Sequence, residues 1–161
     1  MRMTAPARPL PSPWPEVRED LELLFAESQF MRPRALRLAW HSAGTFDAEG
    51  LRPPGAIGGS SGATMRFEPE ASYAVNRGMS EVIEALKPIH GRHATQISVS
   101  DLWVYAAYVA VEEMGGPSME FVPGRVDLDS GGDNCPPEER LPTPDQSSTE
   151  DLSGDQTVYF R

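Results

Sequence analysis

Cysteine is almost missing from this sequence, and that settles one question at once. Cys135 is the only one in 161 residues, so no intrachain disulfide can form. A disulfide-stapled secreted scaffold is thereby excluded and a reducing compartment is favoured. Long apolar runs are missing too. No stretch is long enough to span a bilayer as a helix, so no membrane partner is expected. Positive charge is scarce: 14 Lys and Arg stand against 24 Asp and Glu, a net charge of −10. A chain of that sign repels phosphate backbones, which argues against nucleic-acid partners and for solubility. Sustained alternation of apolar and polar residues is absent, and so are internal repeats. The fold class that remains is all-α.

What is present organises into one domain with a real core. Residues 1–14 read as a flexible, proline-rich lead-in, and residues 15–161 as the domain. Val17, Leu21, Leu24 and Phe25 recur at helical spacing, predicting a first helix just after Pro15. A second helix follows Pro33 and carries Leu36, Ala39, Trp40 and Ala43. Gly44 to Gly62, with six glycines and two prolines, must be a long loop. A third helix holds Ala71, Val75, Met79, Val82, Ile83 and Leu86 and ends before Pro88. The fourth opens at Ser98, with Asp101 three residues on in the manner of a capping box. Its run "LWVYAAYVAVEE" is apolar on nearly every face, so it should be central and buried, stopping at Gly115, Gly116 and Pro117. Between Glu120 and Asp155 ten acidic residues face only Arg125 and Arg140 among several prolines, which reads as a solvated irregular segment.

One stretch departs from this plain helical reading. "LRLAWHSAG" (36–44) puts Arg37, Trp40 and His41 three and four residues apart, on one face of a helix. Any one of them alone has an ordinary structural explanation. Together they are harder to place, because a guanidinium and a charged imidazole on one stripe repel. Burying such groups without compensation costs about several kcal/mol, which is usually tolerated where a site needs it.

The stretch "LRLAWHSAGTFD" resembles the distal-helix motif of the intracellular haem peroxidases, the group of ascorbate peroxidase, cytochrome c peroxidase and catalase-peroxidase. The resemblance continues in order through "GGSSGATMRF" (58–67), "NRGM" (76–79), "ISVSDLWVYAAYVAVEEMGGP" (97–117), "PGRVD" (123–127) and "RLP" (140–142). It implies a peroxidase using heme b, reducing hydrogen peroxide with a small-molecule or cytochrome c electron donor, in oxidative-stress defence. It also implies roles. His41 would be the base that moves a proton between the peroxide oxygens, Arg37 the cation that stabilises the departing oxygen, and Trp40 a residue against the haem face. Asn76 would fix the tautomer of His41, Pro33 would line the distal pocket, and Pro142 would touch the haem edge. Tryptophan at position 40, where secreted members usually have phenylalanine, fits the intracellular group, in the cytoplasm or an organelle.

The family holds its iron through a histidine well downstream, in the second half of the domain. This sequence stops before that half, so it reads as the distal half, with no iron ligand expected among its residues. His90 and His93, three apart, are expected at the surface; two histidines without further donors make a weak metal site. Where plant members carry a lysine that helps bind ascorbate, Gln29 falls here, and the loop from Asp47 to Ile57 is longer than in relatives. The alternative reading is a non-catalytic helical remnant or interaction module of the same family that binds no haem.

Overall fold

Four α-helices carry the fold of the described residues, 11–47 and 58–141, in a computed structural model. They are α1 (Trp14–Glu27), α2 (Met31–Gly44), α3 (Met79–His93) and α4 (Val99–Glu113). Short 3-10 turns at Thr64–Arg66, Glu70–Ser72 and Ala74–Asn76 bridge α2 to α3, and two more follow α4. There is no strand among the described residues, only an isolated parallel bridge between Gly62 and Asp127. The fold is all-α, as the missing alternation predicts. No helix of the described residues is long and apolar enough to cross a membrane. Residues 1–10 of the expected lead-in, 48–57 of the expected loop, Pro142 and the acidic stretch beyond Leu141 lie outside the described residues.

α4 is the centre. Leu102, Ala106, Val109 and Ala110 are fully buried on it, with Trp103 and Tyr105 nearly so. The other three helices all pack on it, through Val17, Leu21 and Phe25 of α1, Ala35 and Leu38 of α2, and Val82 and Leu86 of α3. An element apolar all round has to be surrounded, and this one is.

The helix boundaries differ from the sequence reading in three places. α1 begins at Trp14, whose buried ring meets Tyr105 and Phe121 edge-on at 4.9 and 4.7 Å. α2 begins at Met31, which puts Pro33 in its first turn, where a missing N–H loses no intrahelical bond. α3 begins only at Met79, because Gly78 before it adopts a left-handed backbone (φ +86°), leaving Ala71 and Val75 in 3-10 turns. α3 then runs through Pro88 to His93 instead of stopping. Pro88 faces outward, while Leu86 and Ile89 on either side are buried, so packing holds a helix that propensity alone would end.

Two aspartates tie the chain beyond α4 back to its N-terminus. Ser98 caps α4 by accepting from the Asp101 N–H at 3.0 Å, but the Asp101 carboxylate does not complete a capping box. It accepts instead from the N–H groups of Gly124 and Arg125 and from the Arg125 guanidinium, at 2.7, 3.2 and 2.9 Å. Asp127 takes the helix end: its carboxylate accepts from the Val99 and Ser100 N–H groups and the Ser100 hydroxyl, at 2.7 to 2.8 Å. An anion at a helix N-terminus meets both orphan donors and the positive end of the dipole. Asp127→Ala is therefore expected to cost about 1.5–3 kcal/mol, as for hydrogen bonds to a charged group. Ser98→Ala should cost about 1 kcal/mol. Urea unfolding midpoints of the two variants test that order.

Candidate active site

α2 presents two faces, and they are not the ones its apolar residues suggest. Met31, Ala35, Leu38, Ala39 and Ser42 form the stripe that packs inward. Leu36 and Trp40 are 40% and 41% exposed. With Pro33 and Arg37 they form an outward stripe at helical spacing: three apolar side chains and one guanidinium. His41 lies at the seam between the faces and is buried, with Trp40 edge-on to its ring at a centroid distance of 5.3 Å. Arg37, Trp40 and His41 thus come together, as their spacing predicts.

The short turn after Phe67 supplies the rest. Asn76 closes the 3-10 turn Ala74–Asn76 and is buried. Its side-chain oxygen lies 2.9 Å from His41 Nδ1, and its amide donates to the Glu70 carbonyl at 2.9 Å. That second bond fixes which end of the amide faces the ring, so Nδ1 carries the proton and donates. On the other side of the ring, Arg37 Nε donates to His41 Nε2 at 3.1 Å. The guanidinium is itself held by the carbonyls of Arg77 and Val75, at 3.1 and 2.9 Å. One tripeptide, Val75–Asn76–Arg77, therefore positions both functional groups: its middle side chain orients the imidazole and its outer carbonyls orient the guanidinium.

Electrostatics follow from this arrangement. Burial pushes the His41 pKa below its usual 6.5, the Asn76 bond opposes that, and the Arg37 charge pushes it down again. A neutral imidazole is the result, with its Nε2 lone pair turned toward Arg37. Stability follows the sign: the unfolded chain binds a proton at this histidine at a higher pH than the folded one. The folded state should therefore lose stability as pH falls below 6.5 toward the lowered value, and keep it above. His41→Phe should flatten that part of the stability–pH curve, measured by denaturant unfolding at several pH values.

Glu70 is the residue that sequence patterning does not reach. The residue is 2% exposed, and its Oε2 has no hydrogen-bond partner. Burial pushes its pKa up, against a hydrogen bond with Thr64 that pulls it down. Its main-chain oxygen orients Asn76, a role that leaves no mark on side-chain identity. The same holds for the Val75 and Arg77 carbonyls.

Of the remaining expected residues, Pro33 lies exposed on the outward stripe, and Pro142 falls outside the described residues. His90 and His93 are not free surface groups. His90 Nε2 donates to the Ile97 carbonyl at 3.2 Å. His93 Nε2 meets Asp20 at 3.1 Å, closing α3 onto α1, and its side chain is largely covered. The correction has a simple cause: α3 continues past Pro88 and carries both rings to its neighbours.

Comparison with known proteins fits this geometry. The Peroxidase family matches over residues 17–154. The chain belongs to the peroxidase family. Over 110 residues it is 44% identical to the mitochondrial cytochrome c peroxidase of Emericella nidulans, covering 68% of this chain and 28% of the relative. It is 41% identical over 115 residues to the mitochondrial cytochrome c peroxidase of Neurospora crassa, covering 71% and 30%. A probable chloroplastic L-ascorbate peroxidase of Oryza sativa is 37% identical over 131 residues, covering 81% and 39%. This peroxidase-family chain therefore spans between 28 and 39% of the length of these curated relatives. The resemblance to the group of cytochrome c and ascorbate peroxidases, read from the ordered motifs, is borne out.

Proposed function

We propose that this chain forms the peroxide-handling side of a haem peroxidase, an oxidoreductase that reduces hydrogen peroxide with electrons from a donor. The observation that carries the reading is the state of His41: a buried, neutral imidazole, held through Nδ1 by Asn76, with a fixed guanidinium at Nε2. A purely structural histidine needs no cation held against its free lone pair.

The outward stripe of α2 fits the proposed cofactor. A flat apolar macrocycle needs an apolar face, and Pro33, Leu36 and Trp40 offer one beside the two polar groups. Trp40 and Pro33 would lie against the haem, and Pro142 would touch its edge. When bound, the haem, of the b type, supplies the iron at which the peroxide O–O bond is cleaved. His41 Nε2 takes the proton from the incoming peroxide, in exchange for its contact with Arg37, and returns it to the departing oxygen. Arg37 then faces the oxygen on which charge develops. Asn76 keeps the proton on Nδ1, so that Nε2 stays free to accept.

The names of the relatives support cytochrome c or a small molecule such as ascorbate as donor, and an organellar or other intracellular location. With imidazole added as the missing iron ligand, the purified protein should shift and sharpen the Soret band of hemin, and peroxide should shift it again. A folded protein that leaves the spectrum of hemin and imidazole unchanged would favour instead the non-catalytic helical relative that binds no haem.

A further inference from the structure

Between α3 and α4 lies a cavity, of about 150 Å³, that shares no residue with the Arg37–His41–Asn76 site. Ile83 and Leu86 of α3 and Leu102 and Trp103 of α4 form its apolar wall. Arg66, Lys87 and His90 supply its polar part, and no carboxylate lines it. In a chain of net charge −10, an acid-free lining is a marked local reversal of sign.

The hydrogen-bonding state of these groups narrows the ligand. Arg66 gives Nε to the Ala63 carbonyl and Nη2 to the Leu128 carbonyl, both neutral, so its charge meets no acid among the described residues. Trp103 is 2% exposed and lines the cavity with part of its ring. Lys87 is paired with Glu84 at the exposed rim and contributes less. Arg66 therefore brings to the wall a positive charge that no acid answers among the described residues. The matching ligand accepts hydrogen bonds, carries a negative charge and brings an apolar body. A cavity of about this volume holds a benzene-sized group.

We propose that this cavity binds a small apolar monocarboxylate, its ring or alkyl body against Leu86, Leu102 and Trp103 and its carboxylate toward Arg66. The apolar wall holds the body of the ligand, and the guanidinium gives preference for the anion over a neutral molecule of the same shape.

The test is a titration of the ¹⁵N-labelled chain with benzoate, and separately with benzyl alcohol, followed at the Trp103 indole N–H resonance. Benzoate is expected to move that resonance and to saturate below about 10 mM. Benzyl alcohol should bind about tenfold more weakly or worse. Ile83→Phe, which fills the wall, should abolish the shift, and Arg66→Gln should weaken benzoate while leaving benzyl alcohol unchanged. Equal binding of the two probes would overturn the proposal, leaving an apolar hole with no anion preference. So would a shift that survives Ile83→Phe, or one that never saturates, which marks an adventitious additive only. The comparison of probes on the unaltered chain decides the matter even if a variant fails to fold.

Discussion

In a complete protein or complex that supplies the iron ligand, His41→Leu is expected to slow the reaction with hydrogen peroxide by about 10²–10⁴-fold, the usual worth of a positioned acid–base group. Leucine fills much of the same buried volume, so the fold should survive; what disappears is the Nε2 lone pair. The measurement is the second-order rate of the Soret change on stopped-flow mixing with peroxide. The pH profile gives a second readout. Because burial and Arg37 hold the His41 pKa below 6.5, the parent should stay active into mildly acidic solution, where an ordinary histidine would already be protonated. That acid limb should be missing from the variant. A His41→Leu protein that reacts as fast as the parent would show the stripe on α2 to be structural.

Arg37→Leu should lower the same rate by about 10²–10³-fold, by analogy with loss of an oxyanion donor. Its origin differs, and the pH profile shows how. Removing the guanidinium removes one of the two influences that depress the His41 pKa, though burial remains the larger. The acid limb should therefore move to higher pH in Arg37→Leu. Because both side chains act on one bond-breaking event, the double variant should lose less than the product of the single losses. Asn76→Ala should cost less than either, and it should move the acid limb down, since the Asn76 bond is what supports the charged imidazole. Losses that multiply independently would mean that Arg37 and His41 serve different steps.

Parts of this site are legible in the residues because they depend on local spacing. Residues 37, 40 and 41 share a helix whatever the rest of the chain does, and α4 announces its central place by being apolar on every side. Ser98 marks the start of α4 by the same local logic. Family membership is legible for a related reason: ordered motifs along the chain carry chemistry in side-chain identity.

Other parts depend on which elements meet, and sequence periodicity cannot supply that. Apolar residues mark both stripes of α2, so counting them does not say which stripe is covered. Only the packing of Ala35, Leu38 and Ala39 against α4 turns Leu36 and Trp40 outward and leaves His41 at the seam. Pro88 reads as a helix stop until the burial of Leu86 and Ile89 outweighs the lost bond. The partners of Arg37 are main-chain carbonyls at Val75 and Arg77, and the group that orients Asn76 is the carbonyl of Glu70. A carbonyl is common to every residue, so no choice of amino acid records its use. The sequence by itself determined the helices, the family and the chemical identity of the groups at the site. The tertiary structure alone decided which face of α2 stays open and which main-chain atoms hold its arginine and histidine, because those depend on contacts between segments that are distant along the chain.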